Sequence, residues 1–146
     1  MPRNSVAYDK DFFAWTQEQA RLLRGGEVAD IDLENLAEEI ESVGISNRRE
    51  IRNRLIVLLV HLLKWQFQPR RRGASWSDTI WEQRLQLESV LEDSPSLRPF
   101  FAEVIDRAYS RARDKAVRET RMQPKAFPAE CPYTAEQILN EDFLPE

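Results

Sequence analysis

IDLENLAEEIESVGISNRREIRNRLIVLLVHLLKWQFQP, the stretch from Ile31 to Pro69, decides the fold class of this chain. Apolar residues recur in helical phase at Leu36, Ile40, Val43, Ile51, Leu55, Leu58, Leu62 and Trp65, the signature of a helix. From Leu55 to Leu63 almost every position is apolar. A helix with no wet face must be surrounded by others. The stretch therefore reads as the central helix of a small all-α bundle. Gly44 is its weak point: a helix passing through it loses about 1 kcal/mol relative to alanine. The sequence reading favours a kink or break there, with Ser46 capping a second segment.

The 146 residues suit one helical domain, with a flexible N-terminus over 1–8 and a proline-rich tail over 123–146. With 42% hydrophobic and 32% charged residues the composition is that of a globular protein. The formal net charge of −4 argues against a dedicated nucleic-acid binder, whose mark is a basic excess. The charge is uneven, all acidic from Glu27 to Glu41 and mostly basic from Arg107 to Lys125. Two solvated faces, complementary within the fold or across a dimer, explain this more simply than ligand steering. The single Cys131 rules out an internal disulfide and suits a reducing cytosol. The N-terminus lacks the apolar core of a signal peptide, and Leu55–Leu63 is too short to span a bilayer. A bacterial, cytoplasmic protein with no membrane association is expected.

Going along the chain, a first helix is expected from an Asp9 cap to Arg24, stopped by Gly25-Gly26, with Phe12, Trp15, Leu22 and Leu23 facing inward. Asp32 can cap the central helix, and Pro69 ends it. A further helix runs from a Ser77 cap through Asp78 to Glu92, with Ile80, Leu87 and Leu91 on its inner stripe and Trp81 and Leu85 beside it. Pro95 and Ser96 turn the chain into a helix that reaches about Arg121. The tail is irregular until a short last helix over Ala135–Asn140, capped by Thr134 with Gln137 in the capping-box position.

Several segments agree in order and spacing with one known family: LAEEIESVG at Leu36–Gly44, LLVHLLKWQFQP at Leu58–Pro69, SWSDTIWEQR at Ser75–Arg84 and SPSL at Ser94–Leu97. The N-terminal YDKDFFAWTQEQARLLR and the closing CPYTAEQILNEDFLP extend the likeness over nearly the whole chain. The chain thus resembles the bacterial domain of unknown function numbered twenty-nine. The resemblance implies an all-helical domain and carries no activity, substrate or catalytic residue.

One polar seam stands out. Asn47, Arg54, His61 and Gln68 follow one another at intervals of seven, two turns apart on a helix. Glu39, Glu50 and Lys64 fall close to the same line, and Arg84 interrupts the apolar stripe of the following helix. A polar group inside a packed layer must find partners. Arg84 is expected to pair with Glu39 or Glu50, with His61 in the same network. The plainer account is a network that fixes helix packing, or a wet seam; the sharper one is a small anionic-ligand pocket walled by Trp65, Trp76 and Trp81.

Other chemistries find less support. His61 is the only histidine and lies in the most apolar segment, so a core role outweighs that of a catalytic base. A bundle di-metal site would place a glutamate three residues before the histidine, and that residue is Leu58. No zinc spacing and no phosphate-cradling glycine loop is present, so no catalytic residue, metal or cofactor is assigned. Nucleic-acid binding through Arg70–Arg72, with Trp65, Phe67 and Trp76 nearby, and through the basic Arg111–Arg121 end is possible by composition but disfavoured by the acidic total. The preferred reading is a non-catalytic binding or regulatory domain that acts through a protein partner or as a homo-oligomer.

Overall fold

The structure is a computed structural model that describes residues 7–146. Among the described residues it is all-α, with five α-helices and no strand. They are α1 (Phe12–Arg24), α2 (Leu33–Phe67), α3 (Ala74–Asp93), α4 (Arg98–Thr120) and α5 (Ala135–Leu139). The chain divides into two compact units, Met1–Ser46 and Asn47–Glu146, and α2 supplies residues to both.

Helix α2 is continuous over 35 residues, and the expected break at Gly44 is not present. One glycine costs a helix about 1 kcal/mol, less than the hydrogen bonds of a broken turn. Nothing lies within 4 Å of where a Gly44 side chain would begin, so no close approach demands the glycine.

In the first unit α1 starts at Phe12, with Asp11 as the cap instead of Asp9; the Asp11 carboxylate accepts the Ala14 amide at 3.1 Å. Gly26, at φ +70°, supplies the left-handed residue that closes the helix. Trp15, Leu22 and Ile31 are buried. Phe12 and Leu23, expected inside, are 49% and 52% exposed. Asp32 joins the pieces. Its carboxylate accepts the Trp15 indole N–H at 3.1 Å and the Asn35 amide at 2.9 Å, while its own backbone N–H donates to Gln19 Oε1 at 2.8 Å. The flexible N-terminus expected over 1–8 lies largely outside the described residues; Tyr8, at its end, donates to Glu39 and sets its ring edge-on to Trp15.

The second unit holds the main core. Ile51, Leu55, Leu58, Leu59, Leu62 and Leu63 of α2 are completely buried, as the apolar run predicts. Leu87 and Leu91 of α3 and Phe101, Ala108 and Ala112 of α4 close around them. Helix α3 begins at Ala74, ahead of the expected Ser77 cap; the Ser77 hydroxyl instead donates back to the Ala74 carbonyl. The tail is irregular in backbone yet packed. Phe127, Tyr133 and Ile138 join the core, and α5 carries the expected capping box between Thr134 and Gln137. Arg113 donates to the Phe127 and Pro124 carbonyls, and the Tyr133 hydroxyl donates to Gln66 Oε1 at 2.8 Å.

Candidate functional site

The residues of the polar seam do not form one network. Arg84 is 2% exposed, and it pairs with neither Glu39 nor Glu50. Its Nε donates to the Ile138 carbonyl at 2.8 Å and its Nη2 to the Gln137 carbonyl at 3.2 Å. These are last-turn carbonyls of α5; the Gln137 oxygen also accepts the Asn140 amide at 3.3 Å, while the Ile138 oxygen lies beyond the last backbone bond of the helix. A guanidinium suits this end because its fork reaches two oxygens and the helix C-terminus carries partial negative charge. Burial pushes the Arg84 pKa down, with Glu141 acting in the opposite direction.

The other seam residues have their own local partners. Glu50 accepts from Arg54 at 2.9 Å, one turn away, and Arg54 also reaches Gln83 at 3.3 Å. His61 leaves the expected network altogether: its Nδ1 lies 2.8 Å from the Val57 carbonyl of its own helix. Burial holds its pKa below the usual histidine range. Lys64 lies 3.5 Å from Glu119 and over the Trp76 ring at 5.7 Å. Glu39 accepts from Tyr8. Asn47 and the Gln68 side chain are half-buried. Heptad spacing could not see what stood opposite each residue, and Gln68 lies just past the end of α2.

The tryptophans expected as aromatic walls have different surroundings. Trp65 lies under the Arg72 guanidinium at 5.3 Å, and Trp81 is 53% exposed. The Arg70–Arg72 loop loses one of its three cations to structure, because Arg72 also donates to the Trp65 carbonyl at 2.6 Å. Arg70 and Arg71 stay exposed and line, with Phe67 and Met122, a shallow cavity of about 310 Å³. Among the described residues no group of three or more His, Cys, Asp or Glu is placed to hold a metal, and no helix is long and apolar enough to cross a membrane.

A surface that the sequence reading treated as core is the one most in need of a partner. Leu33, Ile40 and Val43 are each more than 60% exposed, and with half-buried Leu36 they follow the 3-4-3 spacing of one helix face. Phe12, Phe13, Leu23, Val28 and Ile45 are also exposed in the first unit. The second unit exposes only Trp81, Leu85 and Leu144 among its large apolar residues. Beside the α2 stripe run Glu34, Glu38 and Glu41, exposed and in none of the ion pairs of the described residues. The signal was present in the sequence: an apolar phase that continues into a segment where acids fill the other positions.

The family model described as "Domain of unknown function DUF29" matches residues 7–144. No curated protein and no solved structure matches the chain.

Proposed function

The chain belongs to the family of the domain of unknown function DUF29, and from that premise we propose that it is a non-catalytic protein-binding domain whose first unit docks a basic amphipathic helix of another protein. The observation that carries this reading is the exposed Leu33–Leu36–Ile40–Val43 stripe with Glu34, Glu38 and Glu41 beside it. Contiguous exposed apolar surface marks interaction sites, and a helix laid into such a face is anchored at i, i+3, i+7 positions. Burying one Ile or Leu side chain is worth about 1.5–3 kcal/mol, so three or four suffice for measurable binding.

Charge chooses the occupant. The first unit has 4 basic against 10 acidic residues, a net of −6. A symmetric dimer through this face would set the same acidic patch against itself, and like charges in apposition cost several kcal/mol. A partner bearing Lys or Arg beside its leucines meets both the apolar stripe and the carboxylates. A bacterial cytoplasmic setting belongs to the same reading, since the one cysteine has no disulfide partner.

The test is calorimetric titration of the full chain with a model amphipathic peptide that has leucine on one face and lysine on the other. Binding should weaken with salt and drop at least tenfold in Ile40→Asp or Val43→Asp. The same peptide with glutamate for lysine should not bind. Equal binding of the two peptides, or no effect of either substitution, would overturn the proposal. So would a concentration-dependent dimer that Ile40→Asp dissolves, because the occupant would then be a second copy.

A further inference from the structure

Helix α4 has one face whose charges the fold does not use. Arg107, Arg111, Lys115 and Arg118 succeed one another at spacings of four, four and three, so they form a single row on the helix. At 1.5 Å per residue the row is about 16 Å long. All four are exposed. Six other cations of the second unit have partners: Arg54, Lys64 and Arg98 have carboxylates, while Arg72, Arg84 and Arg113 have carbonyls. None of the ion pairs among the described residues involves the α4 row. Asp114 stands three residues from Arg111 and four from Arg118 and still pairs with neither.

The row also has relief. Arg111, Lys115 and Arg118, with Asp114 and Ile56 of α2, line an open groove of about 670 Å³. Arg107 lines a smaller hollow of about 120 Å³ with Phe100, Glu103 and Val104. Arg52 precedes Ile56 by one turn on the same side of α2. The second unit, with 17 basic against 15 acidic residues, has a net charge of +2 where the first has −6.

We propose that this α4 row, with the groove over Ile56, is a sequence-independent binding site for the phosphate backbone of duplex nucleic acid. Exposed cations bind a compact anion weakly, because strong small-ligand sites enclose the ligand and desolvate the charge. They bind a linear polyanion well, because each neutralised phosphate releases condensed counterions and needs no burial. A straight row fits that chemistry, and the apolar Ile56 floor offers no base-edge donor or acceptor. The aromatics that single-strand recognition uses for stacking are missing from the lining of both hollows except for half-buried Phe100, which Arg48 already covers at 5.0 Å. This site and the docking face of the first unit share no residue, so each can fail without the other.

Fluorescence anisotropy of a short labelled DNA duplex with the full chain at low salt provides the test. Binding is expected, with log affinity falling against log salt at a slope of about −3 to −4 for four neutralised phosphates. Arg111→Glu and Lys115→Glu should each weaken it at least tenfold, while Arg70→Glu and Arg71→Glu leave it within twofold. Circular dichroism identical to the parent chain would show that the variants are folded. No binding at low salt, a slope near zero, or equal losses from the Arg70 and Arg71 variants would overturn the proposal. Competition by inorganic triphosphate at equal total phosphate would overturn it in favour of a compact-anion site. Tighter binding to anionic phospholipid vesicles through the same residues would overturn it in favour of a membrane surface.

Discussion

Arg84 shows how much one side chain can hold. Its guanidinium supplies donors to the Gln137 and Ile138 carbonyls, 53 and 54 residues further on, and so fastens α5 to α3. Arg84→Met would remove two charge-assisted bonds and leave the Ile138 carbonyl unpaired, at about 1–3 kcal/mol for a buried group left unsatisfied, while the Gln137 carbonyl keeps the Asn140 amide. Relief from burying the charge offsets part of that loss. A net destabilisation of about 2 kcal/mol is expected in denaturant unfolding, together with faster amide exchange across α5. Arg84→Lys should recover less than half, because an ammonium is a point charge and cannot span both oxygens. A methionine variant as stable as the parent, with α5 equally protected, would remove Arg84 from this role. The sequence made the residue conspicuous, since a charge in the stripe of Ile80, Leu87 and Leu91 must be answered. It could not name the answer, because backbone carbonyls leave no mark in a sequence.

At the scale of elements, the periodic signal was legible wherever burial enforces it. The run Leu55–Leu63, the inner stripe of α3 and the Thr134–Gln137 capping box all follow from spacing and side-chain chemistry. Boundaries were less legible, since a serine can cap a helix or bond back within it, and Ser77 does the second. Helix α2 is the sharpest case. Leu36, Ile40 and Val43 keep the phase of the buried Ile51 and Leu55, yet Ile40 and Val43 are exposed. Periodicity reports that a face is apolar and is silent on what covers it. Gly44 follows from the same continuity. Because α2 runs through it and no atom lies within 4 Å of its missing side chain, Gly44→Ala should stabilise the protein by about 0.5–1 kcal/mol. Helical ellipticity should not fall. Thermal unfolding would settle the point, and a destabilised alanine variant would mean that the helix needs a flexible residue there.

For the molecule as a whole, alkaline stability follows from its phenols. The chain has three tyrosines, Tyr8, Tyr109 and Tyr133, and the fold raises the pKa of each. Tyr8 is pushed up to about 12, chiefly because its hydroxyl donates to the Glu39 carboxylate. Tyr109 is pushed up to about 12 by burial, with its hydroxyl donating to the Pro128 carbonyl. Burial raises Tyr133 further still. An unfolded tyrosine ionises near 10. All three are therefore proton-binding groups whose affinity rises on folding, so their contribution is fully present below about pH 10, and that of Tyr8 and Tyr109 is lost as pH rises through about 12. Titration followed by phenolate absorbance should show no ionisation near pH 10 in the native protein, and all three phenols near pH 10 in denaturant. Glu39→Gln should lower one phenol toward 10 while leaving two high, which separates the hydrogen bond in the first unit from burial in the second. A native phenol that ionises at about 10 in the parent chain would show that its hydroxyl is free in water. If that phenol were Tyr8, the link between the start of the chain and Glu39 would be absent in solution.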